Sequence, residues 1–485
     1  MIDIVRLRGT KLWLAALLTG GIASVAGAQD ATLPAAPTPQ VKAMKWPGGV
    51  AVQRATSGPL ALSLDDAIVR GLDKNLQVLV AQANERSVHG QLLTVGNNLL
   101  PVLTAKAQTQ VQQTNLAAMG FKASSFPTGL LPAGQSIPTI VKVDTTSAQL
   151  SLSQALFNVP AYYLYRAAQQ SERAAAMTTL NYRGGVVLAV GTQYLLALAD
   201  VSQIENAKAL TKADEEVLRQ ATESHNAGVG TNLDVLRARV QSQTQQQVLI
   251  RAENTFAKDK IALNRLIGLP AEQELMLTDE VPYAEYAQMP LEQAKTLAFE
   301  RRKDLLGLQA QMDVAGRTQK AVKFERLPSV SFNGYYGVLG ETRGLYHGVF
   351  AATGTVNVPI FQEAQFRGER TVADAQLVAL QRQIDSLKVS IEAQIRSAML
   401  DVQSSAELVK YARSNVDLAA EELGDASERF KAGVDDNLPV VQSQAVLAAA
   451  QNRLVQSLYQ YNQSKLTLAR NTGVVETQYK TYLGR

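Results

Sequence analysis

The residues best suited to chemistry are few and widely scattered in this sequence. The chain has 485 residues, no cysteine and three histidines, at His89, His225 and His347. No histidine lies at metal-ligand spacing from another, and no nucleophile elbow, phosphate loop or zinc-protease motif is present. The adjacent acids Asp65–Asp66 and Glu421–Glu422 fit the start of a helix and an exposed helix face. The sequence therefore predicts no cofactor, no metal site and no enzyme.

Two short segments with nearly the same sequence are the strongest candidates for function. AGVGTN at 227–232 and AGVDDN at 432–437 each interrupt a long helical pattern. A glycine can adopt the left-handed conformation that ends a helix, and an asparagine can cap the helix that follows. Both segments are therefore interpreted as helix-hairpin tips, with Asn232 and Asn437 as the caps. The predicted tip residues are Gly228, Val229, Gly230, Thr231, Asn232, Gly433, Val434 and Asn437.

The helices that these tips must join are very long. From Phe361 to Lys431 there is no proline, and apolar residues recur every three or four positions, as in a coiled-coil seam. One helix of about 70 residues would be about 105 Å long. The segment from Tyr162 to His225 repeats the pattern. Because a compact core cannot cover such rods, they must pack against similar rods.

The start of the chain predicts export. Basic residues precede an apolar run at 12–25, and Ala-Gly-Ala follows at 26–28, as in a secretory signal peptide. The formal net charge is +4, and it falls to about +2 without this segment, so no electrostatic argument favours nucleic acid. The proline-rich stretch that follows reads as an extended or disordered leader. Beyond it we expect no helix apolar enough to span a membrane.

The rest of the chain consists of two repeats. Short motifs of the first half recur in order in the second, so each half runs helix, strand, loop, strand, long helix, break, long helix. The first copy is longer between its strands, and residues 119–139, rich in Gly, Ser and Pro, predict a loop there. The predicted organisation is a signal peptide at 1–28, a leader at 29–60, a first repeat at 61–270, a linker at 271–289, a second repeat at 290–473 and a C-terminal tail at 474–485.

Four segments alternate between apolar and small polar residues, as strands do. They lie at 104–112, 148–153, 330–338 and 350–358. The alternation fits membrane strands with the apolar face toward lipid and the polar face toward a lumen. A half-buried soluble sheet would give the same pattern, but export and the attachment of two hairpins to rods favour the membrane. The predicted lipid-facing residues are Phe332, Tyr336, Phe350 and Val356.

Four strands cannot line a membrane pore alone. Two open edges would leave backbone groups without partners in hydrocarbon, at several kcal/mol each. Single-chain barrels begin at about eight strands. Several copies must therefore close the wall together, and cyclic symmetry would close it without edges. These arguments require a ring, but they do not give the number of copies.

These features together resemble the TolC-type outer-membrane efflux proteins of Gram-negative bacteria, from about Leu62 to about Gly473. The order of the fragments carries the resemblance, since each is weak alone. The fragments are LSLDDA at 62–67, the strand entries Leu100–Pro101 and Leu327–Pro328, Pro359–Ile360–Phe361, the two AGV tips and Leu266–Ile267–Gly268.

The resemblance implies a mainly helical fold with a membrane β domain. Three copies would form a 12-stranded transmembrane β-barrel, with four strands from each chain, continued by a long α-helical barrel across the periplasm. The homotrimer would be a passive exit duct in outer-membrane lipid, coupled by a periplasmic adaptor to an inner-membrane RND or ABC transporter. The absence of cysteine departs from the lipid-anchored members, so the barrel alone would hold this chain in the membrane.

The resemblance also gives the hairpin tips a role. In the family the tips meet the adaptor and close the pore when the duct is idle, and acids in the first turn of the returning helix narrow the aperture. Asp234 matches that position, whereas the second copy has Pro439 there and its acids, Asp435 and Asp436, lie nearer the tip. Repeated around a ring, these carboxylates would favour cations. Asp234 could instead complement its helix dipole, and the other two could be a solvated cap.

A soluble periplasmic coiled-coil scaffold or adaptor is the competing interpretation. Such a protein would account for the rods and the tips but would leave the duplicated strand hairpins without a role. The exported substrate does not follow from the sequence, because a fold does not fix a function.

Overall fold

The computed structural model describes residues 58–118, 140–286 and 289–484. The predicted signal peptide, nearly all of the leader and the predicted loop at 119–139 lie outside the described residues.

The described elements repeat in the same order in the two halves. Helices of 11 and 22 residues, two strands, a helix of 68 or 69 residues and a helix of 35 or 34 residues follow each other twice. In chain order the elements are β1 Leu60–Leu62, α1 Leu64–Lys74, α2 Leu76–Asn97, β2 Val102–Asn115, β3 Ile140–Phe157, α3 Val159–Asn226, α4 Asn232–Leu266, β4 Leu275–Leu277, α5 Leu291–Arg301, α6 Lys303–Phe324, β5 Ser329–Glu341, β6 Tyr346–Asn357, α7 Glu363–Lys431, α8 Leu438–Asn471 and α9 Val475–Leu483.

The two longest helices confirm the rods predicted from spacing. Helix α3 has 68 residues and α7 has 69. Helix α3 begins cleanly because the Asn158 side chain accepts a hydrogen bond from the Ala161 N–H at 3.0 Å, next to a proline in the first turn. Helices α4 and α8 return beside them, so each half ends in a long helical hairpin.

One expectation about α3 was wrong. It contains an 18-residue window with a mean hydropathy of 1.5, which is long and apolar enough to cross a membrane. However, 61% of that window is buried inside the protein. Val187, Val190 and Tyr194 are each 0% exposed. The window is apolar because it forms the core of the helical region.

A core around α3 contains elements that the sequence did not reveal. Strands β1 and β4 pair in parallel, with Leu62 opposite Leu277. The buried Tyr194 hydroxyl lies 2.9 Å from the Leu62 carbonyl and 2.8 Å from Asp279 Oδ2, and these two acceptors share its one proton. The supposed tail forms α9, in which Leu483 is fully buried. The linker and the C-terminal segment therefore belong to the same core as the start of the first repeat.

The four long strands form one antiparallel sheet in the order β2-β3-β5-β6. The four predicted strands are confirmed, and each is longer than its alternating segment. A bulge between Ala155 and Phe157 shifts the β3–β5 register where β3 leads into α3. Strands β2 and β6 are the edges, and within the described chain neither has a further partner.

Candidate functional site

The register of the sheet places all four predicted lipid-facing residues on one face. Leu150 lies opposite both Ala105 and Tyr336, and Tyr336 lies opposite Phe350. Residues directly opposite each other in antiparallel strands project to the same side. We call this side the apolar face, and it comprises Leu103, Ala105, Ala107, Ala148, Leu150, Leu152, Val330, Phe332, Gly334, Tyr336, Val338, Gly348, Phe350, Ala352, Gly354 and Val356, with Gln154 as a polar member opposite Phe332.

The apolar face is not covered by the rest of the chain. Tyr336 is 71% exposed, Phe350 is 78% exposed and Val356 is 64% exposed. Phe332 is half-buried because its ring lies across Gly334, where an added Cβ would be 3.3 Å from the ring. A continuous exposed apolar surface of this kind marks an interaction surface.

The extent of the apolar face fits a bilayer. From Val330 to Val338 the strand covers about 26 Å, or about 20 Å along the normal at a tilt of about 40°, close to the apolar band of a membrane barrel. Beyond Val338 the same side becomes polar. There the Thr146 hydroxyl donates to Thr342 Oγ1 at 3.1 Å, and the Thr342 hydroxyl donates to Asp144. These hydrogen bonds mark one end of the band.

The opposite side of the sheet, called the polar face, is rich in amides and hydroxyls. One of its cross-strand contacts is the Ser153 hydroxyl donating to Asn333 Oδ1 at 2.8 Å. Among the described sheet residues, its lysine, arginine, aspartate and glutamate members are Lys106, in the middle of β2, and Glu341, at the end of β5. The face comprises Thr104, Lys106, Gln108, Gln110, Ser147, Gln149, Ser151, Ser153, Ser331, Asn333, Tyr335, Gly337, Leu339, Glu341, His347, Val349, Ala351, Thr353 and Thr355.

The tips of the two helical hairpins end their first helices as predicted. Gly228 has φ of 77° and Gly433 has φ of 71°, both in the left-handed region. The Val229 N–H donates to the Ser224 carbonyl, and the Val434 N–H donates to the Arg429 carbonyl, each at 3.0 Å. These bonds satisfy carbonyls that the ending helix leaves without partners.

The predicted cap of α4 was wrong, and the predicted cap of α8 is right in position only. Helix α4 already includes Asn232, and its cap is Thr231, whose Oγ1 accepts from the Asp234 N–H at 3.2 Å. Asp234 Oδ2 accepts from the Thr231 N–H at 3.2 Å, which completes a capping box. Asn437 occupies the cap position of α8 but has helical backbone angles and makes no side-chain cap bond.

Asn437 instead joins the two tips. It is 0% exposed, and its Nδ2 donates to the Asp234 carbonyl at 2.9 Å. The Leu438 N–H donates to Asp436 Oδ1 at 3.1 Å, so the Asp436 side chain makes the cap bond that Asn437 does not make. A second link between the tips is the ion pair of Arg237 and Asp436 at 3.4 Å.

Each predicted aperture acid lies beside an arginine within its own chain. Arg237 is 3.8 Å from Asp234 as well as 3.4 Å from Asp436, and Arg429 is 2.7 Å from Asp435. The sequence reasoning missed both arginines. Arg237 could have been found, since it lies three residues after Asp234 on a predicted helix. The fold alone brings Arg237 to Asp436.

The tips also carry uncovered apolar side chains. Val229 is 83% exposed and Val434 is 67% exposed. Along α4, Leu233 is 53%, Leu236 is 48% and Val240 is 64% exposed. An apolar strip beside paired charges has the composition of a protein-binding surface.

A pair of carboxyls, one buried and one half-buried, lies away from the tips, within the helical part. Asp200 on α3 is 4% exposed and faces Asp259 on α4, which accepts a hydrogen bond from Gln193 Nε2 at 3.0 Å. Burial, followed by the hydrogen bond and the charge of Asp259, raises the pKa of Asp200 to about 7. Among the described residues, no cluster of three or more His, Cys, Asp or Glu has the arrangement of a metal site.

Comparison with protein families matches most of the chain to one of them. The model of the outer membrane efflux protein family matches residues 67–269 and 296–474. One segment falls in each of the two halves that repeat the same order of elements.

Curated relatives and solved structures agree with that match. A probable efflux pump outer membrane protein, SepC of Pseudomonas putida, is 24% identical over 88% of this chain and 90% of its own length. The alkaline protease secretion protein AprF of Pseudomonas aeruginosa is 24% identical over 69% of this chain and 70% of its own length. The Campylobacter jejuni CmeC outer membrane channel has a TM-score of 0.71 at 14% identity, covering 88% of this chain and 91% of that one. The fold is that of such channels.

Proposed function

Because this chain belongs to the outer membrane efflux protein family, we propose that three copies assemble into a closed duct whose wall is a 12-stranded β-barrel. The chain is an outer-membrane exit duct with a large periplasmic portion, and its family is one of channel proteins. The trimer, its count of twelve strands and the direction in which each face of the sheet points are parts of what we propose. Internal duplication of the chain belongs to the same proposal.

The main support for this proposal is the open four-stranded sheet. It has one exposed apolar face, one polar face, and edges at β2 and β6 that have no further partner among the described residues. In a bilayer, edges without partners would cost several kcal/mol per backbone group. Pairing β6 of one copy with β2 of the next removes every edge, with the apolar face toward lipid and the polar face toward the lumen.

The hairpin tips are the proposed docking surface for a periplasmic adaptor. Their exposed valines, Val229 and Val434, supply apolar area, and the α4 strip extends it. The adaptor would link the duct to an inner-membrane RND or ABC transporter, which supplies the energy. Asp234, Asp435 and Asp436 remain proposed aperture residues, with charges balanced in this chain by Arg237 and Arg429.

Single-cysteine labelling tests the orientation of the sheet, because the chain has no cysteine of its own. Ala351→Cys lies on the polar face and Ala352→Cys lies on the apolar face, one residue apart on β6. In purified proteoliposomes we expect a charged, water-soluble maleimide to label residue 351 and a lipid-soluble maleimide to label residue 352. Equal labelling of both positions by the charged reagent would contradict the orientation.

The mass of the purified particle tests the trimer and separates the duct from a scaffold. We expect outer-membrane material that requires detergent and has the mass of three chains in native mass spectrometry. A monomeric, poreless particle would overturn the proposal. Recovery in the soluble periplasmic extract would favour the coiled-coil scaffold.

A further inference from the structure

The middle of the polar face carries one basic side chain in a neutral surrounding. Lys106 lies opposite Gln149, which in turn lies opposite Gly337. Its neighbours along β2 on the same face are Thr104 and Gln108. Lys106 is exposed, and no carboxylate of the described chain lies within ion-pairing distance of its ammonium.

The next acid on this face is too far away to neutralise Lys106. Gly337 is level with Lys106 across the sheet, and Glu341 lies four residues further along β5. That separation is about 13 Å of strand, longer than the Debye length of about 8 Å at physiological ionic strength. The Gln149 side chain lies across Gly337, where an added Cβ would be 2.9 Å from Gln149 Cγ. The Gln149 side chain therefore covers the wall beside Lys106, and Lys106 is the charged residue of that part of the polar face.

Three copies would bring these lysines close to one another. This step depends on the proposed trimer. Twelve strands about 4.8 Å apart and tilted by about 40° put the backbone about 12 Å from the barrel axis. A lysine side chain reaches about 6 Å, so each ammonium would lie about 6 Å from the axis, within the Debye length of about 10 Å at 0.1 M salt.

We propose that Lys106 forms a positive ring at the middle of the barrel and gives this segment of the duct a preference for anionic cargo, such as solutes that carry carboxylate or phosphate groups. Three unit charges at about 6 Å, in water and with screening at 0.1 M salt, enrich a monovalent anion on the axis about sevenfold. The ring occupies only part of the duct, so the change in the overall permeability ratio is smaller than this sevenfold local enrichment.

Reversal potentials in planar bilayers test this assignment with the full-length trimer. In a KCl gradient near 0.1 M we expect the chloride-to-potassium permeability ratio to fall in Lys106→Gln and to fall further in Lys106→Glu. Lys142→Gln is the matched control, because it removes the same charge from β3 on the side of the sheet that carries the apolar face. That control should leave the ratio unchanged.

Salt dependence and the unmodified protein complete the test. At 1 M KCl the Debye length is about 3 Å, so the difference between Lys106→Gln and the unmodified protein should nearly vanish. Channels with normal conductance in which both Lys106 variants keep the original ratio would overturn the ring. Absence of channels or of trimers in the unmodified protein would overturn the proposed duct itself, a distinct result.

Discussion

The sharpest prediction concerns two neighbouring alanines of β6. Ala352 lies opposite Gly334 at the centre of the apolar face, and Ala351 lies opposite Tyr335 on the polar face. We predict that Ala352→Arg prevents assembly in the outer membrane and that Ala351→Arg is tolerated. The two variants have the same composition, charge and strand, so they differ only in the side of the sheet that receives the guanidinium.

The size of the effect follows from the position of Ala352. About 13 Å of strand separates it from Val356 on one side and from Gly348 on the other. An arginine reaches about 6 Å, so its guanidinium cannot reach water at either end of the apolar face. An arginine on the lipid side at mid-membrane costs about 2–4 kcal/mol in a β-barrel, or about 6–12 kcal/mol for three copies. That cost is comparable with the whole stability of a typical folded protein, about 5–15 kcal/mol.

Trimer content of isolated outer membranes is the measurement. Membranes are extracted in mild detergent, and trimer is separated from unfolded chain by semi-native electrophoresis and quantified against the unmodified protein. We expect Ala351→Arg to retain most of the trimer and Ala352→Arg to retain little. Equal trimer yields from the two variants would refute the assignment of the apolar face to lipid.

Three further predictions concern the helical part. Arg237→Gln removes the cation beside two tip carboxylates, which leaves one additional negative charge per chain. Three such charges, about 8 Å from a permeating ion at 0.1 M salt, should raise the cation preference about threefold in planar bilayers. An unchanged reversal potential would show that these acids do not line the aperture. The raised pKa of Asp200, about 7, means that the folded state of the unmodified protein loses stability as pH rises from about 4 to about 7. Asp200→Asn should therefore stabilise the protein by roughly 2 kcal/mol at pH 8. The gain in thermal unfolding temperature should disappear near pH 4, and a gain independent of pH would exclude this origin. Because Gly433 has a positive φ, Gly433→Ala should destabilise its tip by about 1 kcal/mol and speed hydrogen exchange there. The control Gly424→Ala lies in open space within α7 and should have neither effect. Equal exchange rates in the two variants would show that the positive φ is unimportant.

Much of the architecture could be predicted because it depends on local pattern. The long helices followed from spacing without proline, and their ends at Gly228 and Gly433 followed from the conformational freedom of glycine. The strands followed from strict alternation, and alternation also determined which residues share a face, because side chains of a strand project to opposite sides in turn. Once neighbouring strands are in register, Phe332 and Val356 must share a side.

Other features arose only from contacts between distant segments. The three-residue strands β1 and β4 have too little pattern to be seen alone and form because residues 60–62 and 275–277 meet beside Tyr194. Asn437 reads as a helix cap, but its backbone takes helical angles and its amide reaches the other tip. The pairing of Arg237 with Asp436 likewise required the two hairpins to pack together.

The sequence by itself determined the rods, the strands, their faces and the breaks between helices, because each depends on residues within a few positions of one another. The tertiary structure determined which distant groups are in contact. The tip acids pair with arginines, the C-terminal segment packs into the core, and Asp200 faces a second carboxyl with no compensating cation among the described residues. The physical reason is that hydrogen bonds and ion pairs act over a few ångströms. Their free energy therefore depends on which distant segments the fold brings together.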